Sequence, residues 1–124
     1  MLADVALTAV IPASDIERAK RFYRDTLGLA LVRDEGETLV LESGGVRFTV
    51  YATPSGGQAA HTVAGWNVAD LDAVMADLRR RGIVFEEYDL PGLKTVGGVA
   101  EIGTVRGSWF KDSEGNILGV VQGM

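Results

Sequence analysis

The sequence predicts an α+β fold: two βαβββ repeats whose cupped mixed sheets surround a shared cavity. Three observations predict it. Short apolar runs of strand length surround two longer runs of helical period. The order of these runs repeats with a period of about 55 residues. Glycines, singly or in pairs, fall where tight turns between strands belong.

The first repeat covers about residues 4–52. Asp4 to Ile11 predicts a mostly buried strand, ended by Pro12. Ser14 then opens a helix, with Glu17 completing a capping box. Ile16, Ala19, Tyr23 and Leu27 recur at helical spacing and form its buried stripe. Gly28 stands where a left-handed C-terminal cap is wanted. Ala30–Arg33, Thr38–Glu42 and Val46–Tyr51 predict three strands, with Gly36 and Gly44-Gly45 turning the chain between them. Residues 53–60 are small and polar and predict a linker.

The second repeat covers about residues 61–123, within one domain of residues 1–124. His61–Val68 predicts a strand, Asp70 a helix N-cap, and Leu71, Val74 and Leu78 the buried face of that helix. Gly82 caps it. Further strands are expected at Val84–Tyr88, near Val99–Ile102, at Gly107–Lys111 and at Ile117–Gln122, with Gly115-Asn116 turning the last hairpin. Asp15-Ile16 answers Asp70-Leu71, and Gly28-Leu29 answers Gly82-Ile83. One such unit cannot bury both faces of its own sheet. Two units, or four in a dimer, can wrap their sheets around a common hollow while the helices cover the outside.

Composition narrows the function classes. The net charge is −5 and the pI about 4.8, so nucleic acid is not an expected partner. Arg79-Arg80-Arg81 ends the second helix, where cations complement the negative helix terminus. Cysteine is absent and histidine occurs once, which removes disulfides, thiolate nucleophiles and cysteine metal sites. No basic segment leads into a long apolar run, so neither a secretory signal nor a membrane span is expected. The expected location is the cytoplasm. Asp112 to Asn116 predicts a hairpin turn in preference to a calcium loop, since the alternating acidic ligands and the downstream Glu are missing.

Ile11 to Leu29, Val68-Ala-Asp-Leu71 and Trp109 to Leu118, in this order and spacing, resemble the vicinal oxygen chelate superfamily of glyoxalases, bleomycin-resistance proteins and extradiol dioxygenases. The resemblance covers nearly the whole chain. It implies four inward-facing positions that hold His, Gln or Glu in the metal enzymes. Counted from Asp15, Gly45, Val68 and Gly115, they fall here on Thr8, Thr49, Val63 and Gly119. Val and Gly offer no lone pair, and a neutral Thr hydroxyl is a poor ligand. A catalytic first-row metal wants about three His, Cys or carboxylate ligands. The expectation is therefore a metal-free member without cofactor, most similar to the bleomycin-resistance branch and forming a homodimer.

Strand alternation extends this pocket. Val10 accompanies Thr8; Arg47 and Tyr51 accompany Thr49; His61, Gly65 and Asn67 accompany Val63; Ile117 and Val121 accompany Gly119. The expected ligand-binding set is Thr8, Arg47, Thr49, Tyr51, His61, Val63, Trp109, Phe110 and Gly119. Trp109 and Phe110 face opposite ways, so one of them reaches the pocket. Trp66 faces the helices. Residues 88–99, with Pro91 and several glycines, are either a flap over the pocket or a plain connection. The expected function is binding of a hydrophobic or aromatic small molecule, such as an antibiotic, without chemistry. The alternative is a metal-independent isomerase or lyase that moves a proton with His61 or an acid such as Glu101.

Overall fold

Pro12 does not end the first strand; it sits inside it. In the computed structural model, which describes residues 1–124, β1 is Val10–Ala13 and pairs only with β4. An edge strand tolerates Pro, because the missing N–H lies on the side that has no partner. The expected strand from Asp4 is not formed. Leu2–Asp4 makes a single 3-10 turn, and residues 5–9 lie outside any strand. The register explains this. Val10 is paired with Thr49, and β4 starts at Val46, so residues before Leu7 have no partner to meet.

The helix N-cap also differs from expectation. Asp15, not Ser14, accepts the Arg18 N–H, and α1 (Ile16–Lys20) continues as a π-helical turn over Arg21–Thr26. Gly28 then reverses the chain at φ +75°. β2 (Ala30–Asp34), β3 (Thr38–Ser43) and β4 (Val46–Ala52) follow. The sheet order is β1-β4-β3-β2, with β1 parallel to β4 and the other pairs antiparallel. Ile11, Ala13, Leu39, Leu41 and Val50 are buried beneath Ala19 and Tyr23 of the helix.

The second repeat has the same plan. β5 (Thr62–Val68) leads to α2 (Leu71–Arg80). Asp70 accepts the Ala73 N–H and Gln122 accepts the Leu71 N–H. β8 (Ala100–Ile102), β9 (Val105–Lys111) and β10 (Ile117–Gln122) complete a sheet of order β5-β10-β9-β8. The expected strand at Val84–Tyr88 is reduced to one bridge, Phe85 with Phe110. In its place a miniature hairpin forms from β6 (Asp89–Leu90) and β7 (Leu93–Lys94).

The segment 53–60 contains no helix or strand and is fastened down. A Cβ at Gly57, whose φ is +77°, would stand 2.0 Å from the Glu114 carbonyl oxygen, and one at Gly56 2.7 Å from the Ser14 nitrogen. Only glycine permits that approach. The β9–β10 turn of the second repeat docks at the same place. Asp112 accepts the Tyr23 hydroxyl, and the Asn116 amide donates to the Pro12 carbonyl at 2.8 Å. Glu114 accepts the Asp15 N–H at 2.8 Å and Arg18 Nε at 2.7 Å. The cores of both repeats thereby merge into one cluster.

Candidate functional site

On β9, alternation puts Phe110 and Trp109 on opposite faces, and packing decides which is which. Phe110 is fully buried, stacked on Trp66 at 6.2 Å and 10°. The Trp66 assignment to the helix side agrees with this. Trp109 lies on the other face, flat against the sheet. A Cβ at Gly107 would stand 3.1 Å from its Cη2, and one at Gly119 3.3 Å from its Nε1. The indole therefore spans two strands, over positions where side chains are absent. Tyr88 packs edge-on against it, with centroids 5.9 Å apart and planes at 72°. Burial, followed by the nearby Glu86 carboxylate, pushes the Tyr88 hydroxyl pKa up, so it stays a neutral donor.

Tyr88 is held by the segment expected to be a flap or a plain connection. Its N–H donates to Thr95 Oγ1 at 2.7 Å, and Thr95 is buried. The β6–β7 hairpin thus starts from an anchored base beside Trp109. Sequence reasoning did not single out Tyr88 or Gly107. The one available signal was Gly107 standing two residues before Trp109, on the same face of the same strand.

Val63 does not occupy the position expected for it. A bulge lies between the pairs Ile117–Thr62 and Leu118–Ala64, so Val63 is the extra residue and packs against the core. Thr62 takes the place beside Gly119, its Cγ2 3.4 Å from where a Cβ would stand there. His61 precedes the strand and is exposed, with Nδ1 3.1 Å from the Thr62 carbonyl and no carboxylate partner. Glu101 is exposed and lies 4.0 Å from Arg106.

In the first sheet, Thr49 pairs with both Val10 and Val40, and Tyr51 with Pro12 and Thr38, on the face away from the helix. Tyr51 is 39% and Val10 56% exposed. Thr8 donates to the Arg47 carbonyl at 3.2 Å, and the Arg47 side chain is exposed near Glu42 at 3.4 Å. The faces that meet across the joint are the opposite, helix-side ones. An apolar crevice there is lined by residues such as Ile11, Phe48 and Trp66; of the residues that alternation adds to the expected pocket it contains Gly65 and Asn67, and it contains none of the nine in the expected binding set. A single chain thus presents two separate faces, one with Thr8, Arg47, Thr49 and Tyr51, the other with Trp109 and Gly119.

These residues do not fit a first-row transition metal. Thr8, Thr49, Thr62 and Gly119 supply no imidazole, thiolate or carboxylate. Nowhere in the chain do three His, Cys, Asp or Glu side chains come together as a potential metal cluster. No helix is long and apolar enough to cross a membrane.

Comparison with known proteins is consistent with this geometry. The family model described as the glyoxalase/bleomycin resistance protein/dioxygenase superfamily matches residues 5–119. No curated protein matches the chain in sequence. Among solved structures, a bleomycin-binding protein from Streptomyces verticillus, complexed with copper(II)-bleomycin, superposes with TM-score 0.72 at 22% identity, covering 97% of each chain. TnmS3, an antibiotic binding protein from Streptomyces sp. CB03234, gives 0.65 at 23%, covering 97% of this chain and 98% of its own. A lactoylglutathione lyase from Agrobacterium tumefaciens gives 0.70 at 17%, covering 96% and 94%. At these identities the likeness is one of fold, and it spans binders and enzymes alike. By its repeated sheets and by the family match over nearly its whole length, the chain belongs to the glyoxalase/bleomycin resistance protein/dioxygenase superfamily.

Proposed function

We propose that the protein binds a hydrophobic or aromatic small molecule without a metal, on the Trp109 face, with a second copy completing the pocket as a homodimer. The observation that carries this reading is the indole laid flat across Gly107 and Gly119. A flat aromatic surface edged by Tyr88 is a platform for stacking a planar ligand. Burial of ligand surface supplies the affinity, at about 25 cal/mol per Å² before association costs. Similar folds bind bleomycin and another antibiotic, which supports an antibiotic-like ligand class. The isomerase or lyase alternative finds less support, because His61 faces no acid that would orient or recharge it.

Native mass spectrometry of the protein as purified, before and after a chelator, tests the proposal. The expected result is an organic adduct on a dimer that survives chelation and is lost in Trp109→Ala. One equivalent of tightly held zinc, nickel or iron, with ligand retention that depends on it, would overturn the reading.

A further inference from the structure

Behind the sheets, the joint between the two repeats leaves a crevice of about 280 Å³. Its floor is Ile11, Tyr23 and Leu118, each at most 2% exposed. Phe48 and Trp66 form its walls. Small-ligand pockets begin at about 300 Å³, so this volume suits one or two rings and is too small for a large antibiotic. Trp66 is fixed on two sides, by its stack on Phe110 and by its indole N–H, which donates to Ser43 Oγ at 3.0 Å.

Ser43 and Asn67 are the polar side chains of the crevice, and Ser43 is the one bound to Trp66. A serine hydroxyl carries one donor and two acceptor sites. The Trp66 N–H uses one acceptor site, and the hydroxyl proton goes to no acceptor in the chain. No carboxylate, ammonium or guanidinium lines the crevice. Its one titratable group is Tyr23, whose hydroxyl pKa burial pushes far up, with the Asp112 carboxylate adding to the effect. A charged ligand would therefore find no counterion here, and burying its charge would be costly.

We propose that this crevice is a second small-molecule site, separate from the Trp109 face. It takes a flat, neutral molecule of one or two rings carrying one hydrogen-bond acceptor, which receives the Ser43 hydroxyl proton. The two tryptophans fall one to each site, so each site reports on itself.

The test is a titration of the full-length, nitrogen-15-labelled protein with coumarin, and separately with naphthalene, followed through the two indole N–H resonances. Trp109→Phe assigns them. The expected result is a saturable shift of the Trp66 resonance with both probes. Ser43→Ala weakens coumarin about 3- to 10-fold, the value of one hydrogen bond, and leaves naphthalene unchanged. Ala64→Leu, which fills the crevice, abolishes the Trp66 response. A Trp66 resonance that stays still in the unaltered protein overturns the proposal, as does a Trp66 shift that survives Ala64→Leu. Failure of the Trp109 platform shows separately, in the other resonance.

Discussion

Ser108 is the only buried side chain whose polar atom has no hydrogen-bond partner. It sits on the helix side of β9, opposite Val120, and is fully buried. An unsatisfied hydroxyl in that position keeps its desolvation cost and gains nothing in return. Ser108→Ala keeps the Cβ contacts and removes the orphan. The expected gain is about 1 kcal/mol, read as a rise of about 3–6 °C in Tm. A lower Tm would show that the hydroxyl has a role the packing does not reveal. The same strand shows what was legible at this scale. Alternation established that Trp109 and Phe110 face opposite ways, but alternation gives relative phase only. The absolute phase came from Gly107 and Gly119, which clear room for an indole on one face, and from Trp66 stacking on the other.

Among the elements, helices and hairpins were legible because their signals are local: Asp70, Gly28, Gly82 and the Gly44-Gly45 turn all act on adjacent residues. The misplaced features depend on distant partners. Counting back from Val68 points to Val63, and a bulge in the β5–β10 pairing breaks the count. Ser14 and Glu17 look like a capping box, yet Asp15 caps the helix, and the Ser14 hydroxyl and the Asp15 N–H both donate to Glu114, about 100 residues away. Burial alone would raise the Glu114 pKa, but hydrogen bonds from Arg18, the Asp15 N–H, Ser113 and Ser14 outweigh it and hold the group at about 2. Its folded pKa thus lies below the ordinary 4.5. The stabilisation is complete above that value and is lost as pH falls toward 2. Glu114→Gln is expected to cost about 2–4 kcal/mol near neutral pH, since it leaves the Arg18 guanidinium and the Asp15 N–H without their anionic partner. The gap between variant and parent should close as the pH is lowered toward about 2. Urea unfolding at both ends of this range reads it, and a gap that does not change with pH would sink the account.

For the whole molecule, the repeat announced two equivalent sheets, and the period of about 55 residues was enough to order their strands. It could not say whether the cup faces of one chain meet each other, because both pairings use the same strands. The joint answers through the turn 112–116, which brings the helix-side faces together and leaves the cup faces outward. What remains exposed then has a consequence. Val5, Leu7 and Val10 are 65%, 96% and 56% exposed along one stretch, and β1 and β5 are both edge strands. An apolar edge of this kind is a template for pairing with another chain, and the proposed homodimer is the partner that also closes the cup. Two-fold symmetry counts each contact twice. Burying one Leu stabilises by about 1.5–3 kcal/mol, so Leu7→Asp should weaken the dimer at least about 100-fold. Because Leu7 contributes nothing to the core of its own chain, the circular dichroism spectrum should be unchanged. Sedimentation equilibrium measures the association directly. A protein that stays monomeric at high concentration would refute the dimer, and a Leu7→Asp variant as dimeric as its parent would move the interface elsewhere.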